Sequence, residues 1–131
     1  MGAWQTLAVQ TSTRIDLVDI TDRVAALVPA GAAGALALFV PHTTAALWVN
    51  EGEEGLLADF RAWLERSVPS TGPYAHDRVD DNAAAHLRAS DLGASQVIPV
   101  EAGRLLLGTW QRVFFVELDG PRAREVRVRL L

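Results

Sequence analysis

The sequence predicts an α+β fold, a layered α/β sandwich with a largely antiparallel sheet. Three observations point there. Segments with strand character outnumber those with helix character. Most connections between them are short. The last segment, Arg124 to Leu130, alternates cleanly: Val126, Val128 and Leu130 face one way, Arg127 and Arg129 the other, as in a strand with one wet face.

In chain order, Trp4 to Ser12 alternates weakly and reads as a strand. Thr21 is placed to cap a short helix, Asp22 to Val28, which Pro29 and Gly31 end. Leu36 to Val40 is a continuous apolar run, a buried strand, and Ala45 to Asn50 is a second strand close behind it. Gly52 to Arg66 has the strongest helical period, with Leu56, Leu57, Phe60, Trp63 and Leu64 on one face. Asn50 reads as its N-cap, with Glu53 completing a capping-box-like pattern. Pro69 to Tyr74 is turn-rich, and Asp80 or Asp81 is placed to cap a helix through Leu87 and Ala89. Gln96 to Val100 is a strand and Ala102-Gly103 a tight turn. Leu105 to Leu118 is a long strand or a strand bent near Gly108, and Asp119-Gly120 signals a hairpin.

Composition narrows the chemistry. At 131 residues the chain fits a single domain, 1–131, and half its residues are hydrophobic. A chain of this size buries roughly two-thirds of its unfolded surface on folding. There is no cysteine, which removes disulfides, thiolate nucleophiles and Cys-ligated zinc. Every basic residue is Arg, so Schiff-base chemistry and a lysine-bearing phosphate loop are excluded, and phosphate would be held by Arg or backbone N–H groups. The net charge of −4 argues against a nucleic-acid partner. No charged and apolar leader opens the chain, and the longest apolar stretch, Ala30 to Pro41, is too short and glycine-broken to span a bilayer. The expectation is a cytoplasmic protein with no membrane partner.

Three segments carry candidate chemistry. His42-Thr43-Thr44 follows a buried strand, whose rigid end aims side chains accurately; the hydroxyls of Thr43 and Thr44 suit an anionic oxygen. The plainer reading is a turn. Tyr74-Ala75-His76-Asp77 leads to Asn82 and His86, which share a helical face four residues apart. A hydrogen-bonded core histidine explains His86 equally well. The third segment holds Gln111, Glu117 and Asp119, which share parity on an unbroken strand, and then Arg122. Glu117 and Asp119 suit a general base, a metal ligand or an Arg partner. The chain has only three histidines, His42, His76 and His86, each near a residue able to orient an imidazole: Thr43, Asp77 and Asn82. Three His from separate segments suit a divalent metal, zinc above all, with one coordination position open. Trp48, Trp63 and Trp110 read as core or interface residues.

Taken together, these segments resemble the YjbQ-like family, also described as secondary thiamine-phosphate synthase enzymes. The resemblance is carried by Pro41-His42-Thr43-Thr44-Ala45-Ala46-Leu47, Asn50-Glu51 and Asp81-Asn82-Ala83-Ala84-Ala85-His86-Leu87. It continues through Ile98-Pro99-Val100, Gly103, Leu107-Gly108-Thr109-Trp110-Gln111 and Glu117-Leu118-Asp119-Gly120-Pro121-Arg122. It implies a homotrimer with a polar site near a subunit boundary and a divalent metal at the His cluster. It also implies weak thiamine-phosphate synthesis, the joining of a pyrimidine diphosphate to a thiazole phosphate with loss of pyrophosphate. In that chemistry Arg122, Thr43 and Thr44 would hold phosphate, and Glu117 and Asp119 would flank positive charge or ligate magnesium. Asn82 and Gln111 would contact substrate, and His42 and His86 would act beside Glu117 and Asp119. Two classes follow: a metal-binding enzyme acting on a phosphorylated small molecule, or a non-catalytic trimeric binding or assembly protein whose His cluster is structural.

Overall fold

The computed structural model describes residues 2–131. Eight strands form at Gln5–Gln10 (β1), Asp16–Asp19 (β2), Gly34–Phe39 (β3), Ala45–Glu51 (β4), Ser95–Glu101 (β5), Arg104–Leu105 (β6), Gln111–Glu117 (β7) and Ala123–Leu130 (β8). Helices span Thr21–Ala25 (α1), Glu54–Ser67 (α2) and Ala83–Leu92 (α3), with a 3₁₀ turn at Ala75–Arg78. The strands make two sheets, ordered β1-β8-β3-β5-β6 and β2-β7-β4, and every pairing is antiparallel. The α+β sandwich is therefore present, with α2 and α3 as a third layer.

The apolar pattern accounts for the layering. Val9, Leu36, Leu38, Ile98, Val126 and Val128 project from the five-stranded sheet onto Leu47, Val113 and Phe115 of the three-stranded one. The other face of β7, carrying Phe114 and Val116 with Leu118 just beyond, packs against Phe60 and Leu64 of α2 and Ala85 and Ala89 of α3. A central strand covered on both faces needs a continuous apolar run, which is what Val113 to Val116 provides. Trp48 stacks on Phe60 at 4.0 Å between ring centres. Trp63 also packs on Phe60 but is 41 % exposed, whereas Trp110 lies in a loop and is 72 % exposed, so it is no core residue.

Several local expectations change. The strand β2 had no sequence counterpart: four residues pair with β7 through Asp16 to Asp19. Thr21 does not cap α1; its hydroxyl donates to Asp19 Oδ1 and accepts the Val113 N–H, bridging helix to sheet. Asn50 does not cap α2, because β4 runs on through Glu51 and pairs Asn50 with Arg112. Glu53 caps instead, accepting the N–H groups of Gly55 and Leu56. The expected strand from Leu105 to Leu118 is two strands in different sheets: Leu105 pairs with Val100, whereas Gln111 pairs with Glu51. Nor is Asp119-Gly120 a hairpin, since it carries the chain from the three-stranded sheet to the five-stranded one. Gly120 is needed for space: a Cβ there would sit 2.5 Å from the Thr13 carbonyl oxygen and 2.6 Å from Glu117 Cγ. Among the described residues no helix is long and apolar enough to cross a membrane.

Candidate functional site

The turn after β3, the start of α3 and the β7–β8 crossover meet at one end of the sandwich. There they line an open cavity of about 400 Å³ that includes His42, Thr43, Asp80, His86, Arg122 and Arg124. Asn82 and Asp119 form its wall. Six of the residues singled out in the sequence thus converge: His42, Thr43, Asn82, His86, Asp119 and Arg122. Thr44 also borders the cavity but is buried, and its hydroxyl accepts from Arg124 Nη2 at 2.8 Å. Gln111 is not part of this site. It starts β7 while Glu117 ends it, roughly 20 Å away at the rise of an antiparallel strand, and its amide oxygen accepts the Gly108 N–H.

Glu117 is fully buried, in register with Ala45 on one side and Asp16 on the other. Its carboxylate accepts from Arg124 Nε at 2.8 Å, from the Thr11 hydroxyl at 2.7 Å and from the N–H groups of Leu118 and Asp119 at 3.1 Å. Arg124 Nη2 makes a further ion-paired contact with it. Burial acts to raise its pKa, but the bonds from Arg124, Thr11 and the Asp119 N–H outweigh that and hold it below the ordinary value. A carboxylate so fully engaged acts as a strut between the two sheets. Thr11 and Arg124 were missed in the sequence. Both were legible: Thr11 shares parity with Leu7 and Val9, and Arg124 with Val126 and Val128, so each points inward.

Asp119 is also largely closed. Asn82 Nδ2 donates to its Oδ2 at 2.9 Å, Arg122 Nη2 reaches the same oxygen at 3.0 Å, and Arg14 stands 3.4 Å from Oδ1. With its amide nitrogen so committed, Asn82 turns its oxygen to His76 Nε2 at 3.0 Å, which must then carry the proton. Asp77 does not orient His76; its carboxylate accepts the Ala83 N–H and caps α3, in place of Asp80 or Asp81.

The histidines split. His76 and His86 meet edge to face, 4.7 Å between ring centres, beside a second cavity of about 480 Å³ lined by Tyr74 and Leu87. His86 borders both cavities. His42 comes from the turn after β3, and its Nε2 accepts the Glu125 N–H at 3.0 Å. Burial and the neighbouring Arg124 charge hold its pKa below the ordinary histidine value. Among the described residues no three His, Asp or Glu side chains are grouped to hold a metal ion. His42, His76 and His86 are therefore not grouped, within one chain, as the three-nitrogen zinc site expected of them. No acidic cluster suits magnesium either.

Comparison with known proteins now bears on the same residues. Residues 5–131 match the family model described as UPF0047 protein YjbQ-like. A UPF0047 protein of Archaeoglobus fulgidus is 50% identical over 125 residues, spanning 95% of this chain and 98% of its own. The UPF0047 protein YugU of Bacillus subtilis is 36% identical, with 97% and 98% of the two chains covered. Among solved structures, a hypothetical protein of Aeropyrum pernix superposes with a TM-score of 0.94 at 43% identity, covering 99% of this chain and 98% of that one. A YbjQ-like protein of unknown function from Sulfolobus solfataricus gives 0.92 at 42% identity, covering 96% and 94%.

Proposed function

The chain belongs to the UPF0047 YjbQ-like family, and from that premise we propose that the cavity beside His42 binds a phosphorylated small molecule. One observation carries this: a cavity of about 400 Å³ gathers two arginines, a hydroxyl and two imidazoles from three separate segments. Arg122 is the half-exposed cation of the set, its side chain 54% exposed. Its guanidinium and the Thr43 hydroxyl supply donors matched to phosphate oxygens. Arg124 is pinned to Glu117 and adds a fixed positive charge at the floor. His42 is neutral at pH 7 and, with Nε2 accepting, presents Nδ1–H as a further donor. The finer form of the proposal is a weak thiamine-phosphate synthase activity, in which these groups would hold the leaving pyrophosphate. Calorimetric titration with inorganic pyrophosphate should give saturable binding that Arg122→Gln weakens about tenfold, the loss of one charge-assisted contact. Binding unchanged in both Arg122→Gln and His42→Ala would sink it.

A second reading, a non-catalytic binding or assembly protein, is favoured by the closure of Glu117 and Asp119, which ties both carboxylates into protein contacts. Pyrophosphate binding without turnover of a pyrimidine diphosphate and a thiazole phosphate would select it. Either reading includes a homotrimer. Its support is the apolar outer face of the five-stranded sheet, where Trp4, Phe39 and Val97 are 50, 42 and 63% exposed around a groove of about 600 Å³. Light scattering should report a three-chain species that Val97→Glu dissociates; a stable monomer at micromolar concentration would remove this part.

A further inference from the structure

We propose that Thr11 is a positioning residue of the His42 cavity: its hydroxyl couples the buried Glu117–Arg124 pair to the main chain at Arg122 and so aims the Arg122 guanidinium. The inference rests on the phosphate-binding reading of that cavity and adds to it a residue outside its lining.

Thr11 directly follows β1, and Arg122 stands just before β8. The ladder between these strands ends at the Gln10 and Ala123 pair. One step further, a regular antiparallel pair would exchange two backbone bonds. Only one is made, from the Thr11 N–H to the Arg122 carbonyl at 3.0 Å. The Arg122 N–H goes instead to the Thr11 hydroxyl at 2.8 Å. That hydroxyl has a single proton to give. Glu117 Oε1 takes it at 2.7 Å, being charged and nearer than the Arg122 carbonyl at 3.1 Å, which already accepts from the Thr11 N–H and the Gln10 amide. Thr11 is 2% exposed, which leaves water little access to either bond.

One carboxylate therefore brackets the segment from Asp119 to Arg122. Glu117 Oε2 accepts the Asp119 N–H at 3.1 Å, and Oε1 holds the Arg122 N–H through Thr11. The Arg122 side chain is 54% exposed and yet tied along one edge. Its Nε donates to the Asp119 carbonyl at 2.8 Å and its Nη2 to the Asp119 carboxylate at 3.0 Å. Both bonds return to a residue three positions back, so they form only while the main chain between the two keeps its turn. An arginine loose in water must lose rotamer freedom to meet a ligand. A guanidinium already held meets a phosphate oxygen without that loss, which is how preorganisation raises affinity.

Thr11→Val keeps the shape of the side chain and removes the hydroxyl, whereas Thr11→Ser keeps the hydroxyl. In calorimetric titration with inorganic pyrophosphate, Thr11→Val should bind about tenfold more weakly and Thr11→Ser close to the parent. In the Arg122→Gln background Thr11→Val should cost no further affinity, because both changes act through one guanidinium. A second measurement needs neither ligand nor a stable Thr11→Val. In the ¹⁵N-labelled parent the heteronuclear NOE of the Arg122 Nε–H should show it clearly more rigid than that of the exposed Arg66. It should loosen in Thr11→Val and hold in Thr11→Ser. The inference is overturned if folded Thr11→Val binds pyrophosphate as tightly as the parent, if the two losses add in the double variant, or if the Arg122 Nε–H of the parent is as mobile as that of Arg66. A parent that binds no pyrophosphate, with an Arg122 Nε–H that is rigid until Thr11→Val frees it, would strike the phosphate reading and leave the coupling of Thr11 to Arg122 standing.

Discussion

Glu117 and His42 are neighbours of the same arginine and live under opposite rules. On the Glu117 side of Arg124, between the sheets, every polar atom is matched: carboxylate to guanidinium, hydroxyl and two N–H groups. On the His42 side, the turn opens to an exposed Thr43 and to Arg122, which is half in water. A buried charge pair tolerates no missing partner, because the remaining charge keeps its desolvation cost without its compensation. An open cavity loses little when one side chain is trimmed, because water replaces it. Titratable residues therefore cluster here for two reasons, and only one of them concerns ligands.

The largest effect should come from breaking the closed side. Glu117→Ala leaves Arg124 buried and unpaired and should cost about 3–5 kcal/mol of stability, read by urea denaturation. A loss under about 1 kcal/mol would mean that water reaches Arg124, and the contrast between the two regions would disappear. Next is Asn82→Ala at the boundary, which removes the partner of both His76 and Asp119 and should cost about 1–3 kcal/mol. Pyrophosphate affinity should change along with stability there.

Acid sharpens the comparison. The folded-state pKa of Glu117 is depressed, so its contribution is present above the unfolded carboxylate value and is lost as pH falls through the folded one. His42 is also depressed, but as a histidine: the unfolded chain takes up its proton first, so stability declines as pH falls below the unfolded histidine value, until the folded ring protonates too. Stability against pH should then show two declines, with His42→Gln removing the upper and Glu117→Gln reducing the lower, to which the depressed carboxylates of Asp19 and Glu65 also contribute. An upper decline that persists in His42→Gln, or a lower one undiminished in Glu117→Gln, would refute the assignment. The smallest stability effect belongs to Arg122→Gln, within about 1 kcal/mol, because the half-exposed Arg122 leaves behind an Asp119 still held by Asn82 and Arg14, although it should show the clearest loss of pyrophosphate binding. A thermal scan beside the calorimetry checks both.

Much of this was written in the chain. The α+β class, both long helices and the inward face of β8 follow from period alone, since side-chain direction repeats every two residues in a strand and every 3.6 in a helix. So did the neighbourhood of the site, because His42, Asn82, His86, Asp119 and Arg122 sit at element ends, where polar residues interrupt apolar runs. The sequence could also have revealed Thr11 and Arg124, had parity been followed past the apolar residues. Only the tertiary structure decided which polar residues meet. Parity says that Glu117 points inward but not that Arg124 waits across the sandwich, because β7 and β8 belong to different sheets. Composition counts three histidines but cannot say that His42 faces Glu125 while His76 faces Asn82. Contacts between elements depend on register and layer, which many distant apolar residues set together, and no local pattern encodes them.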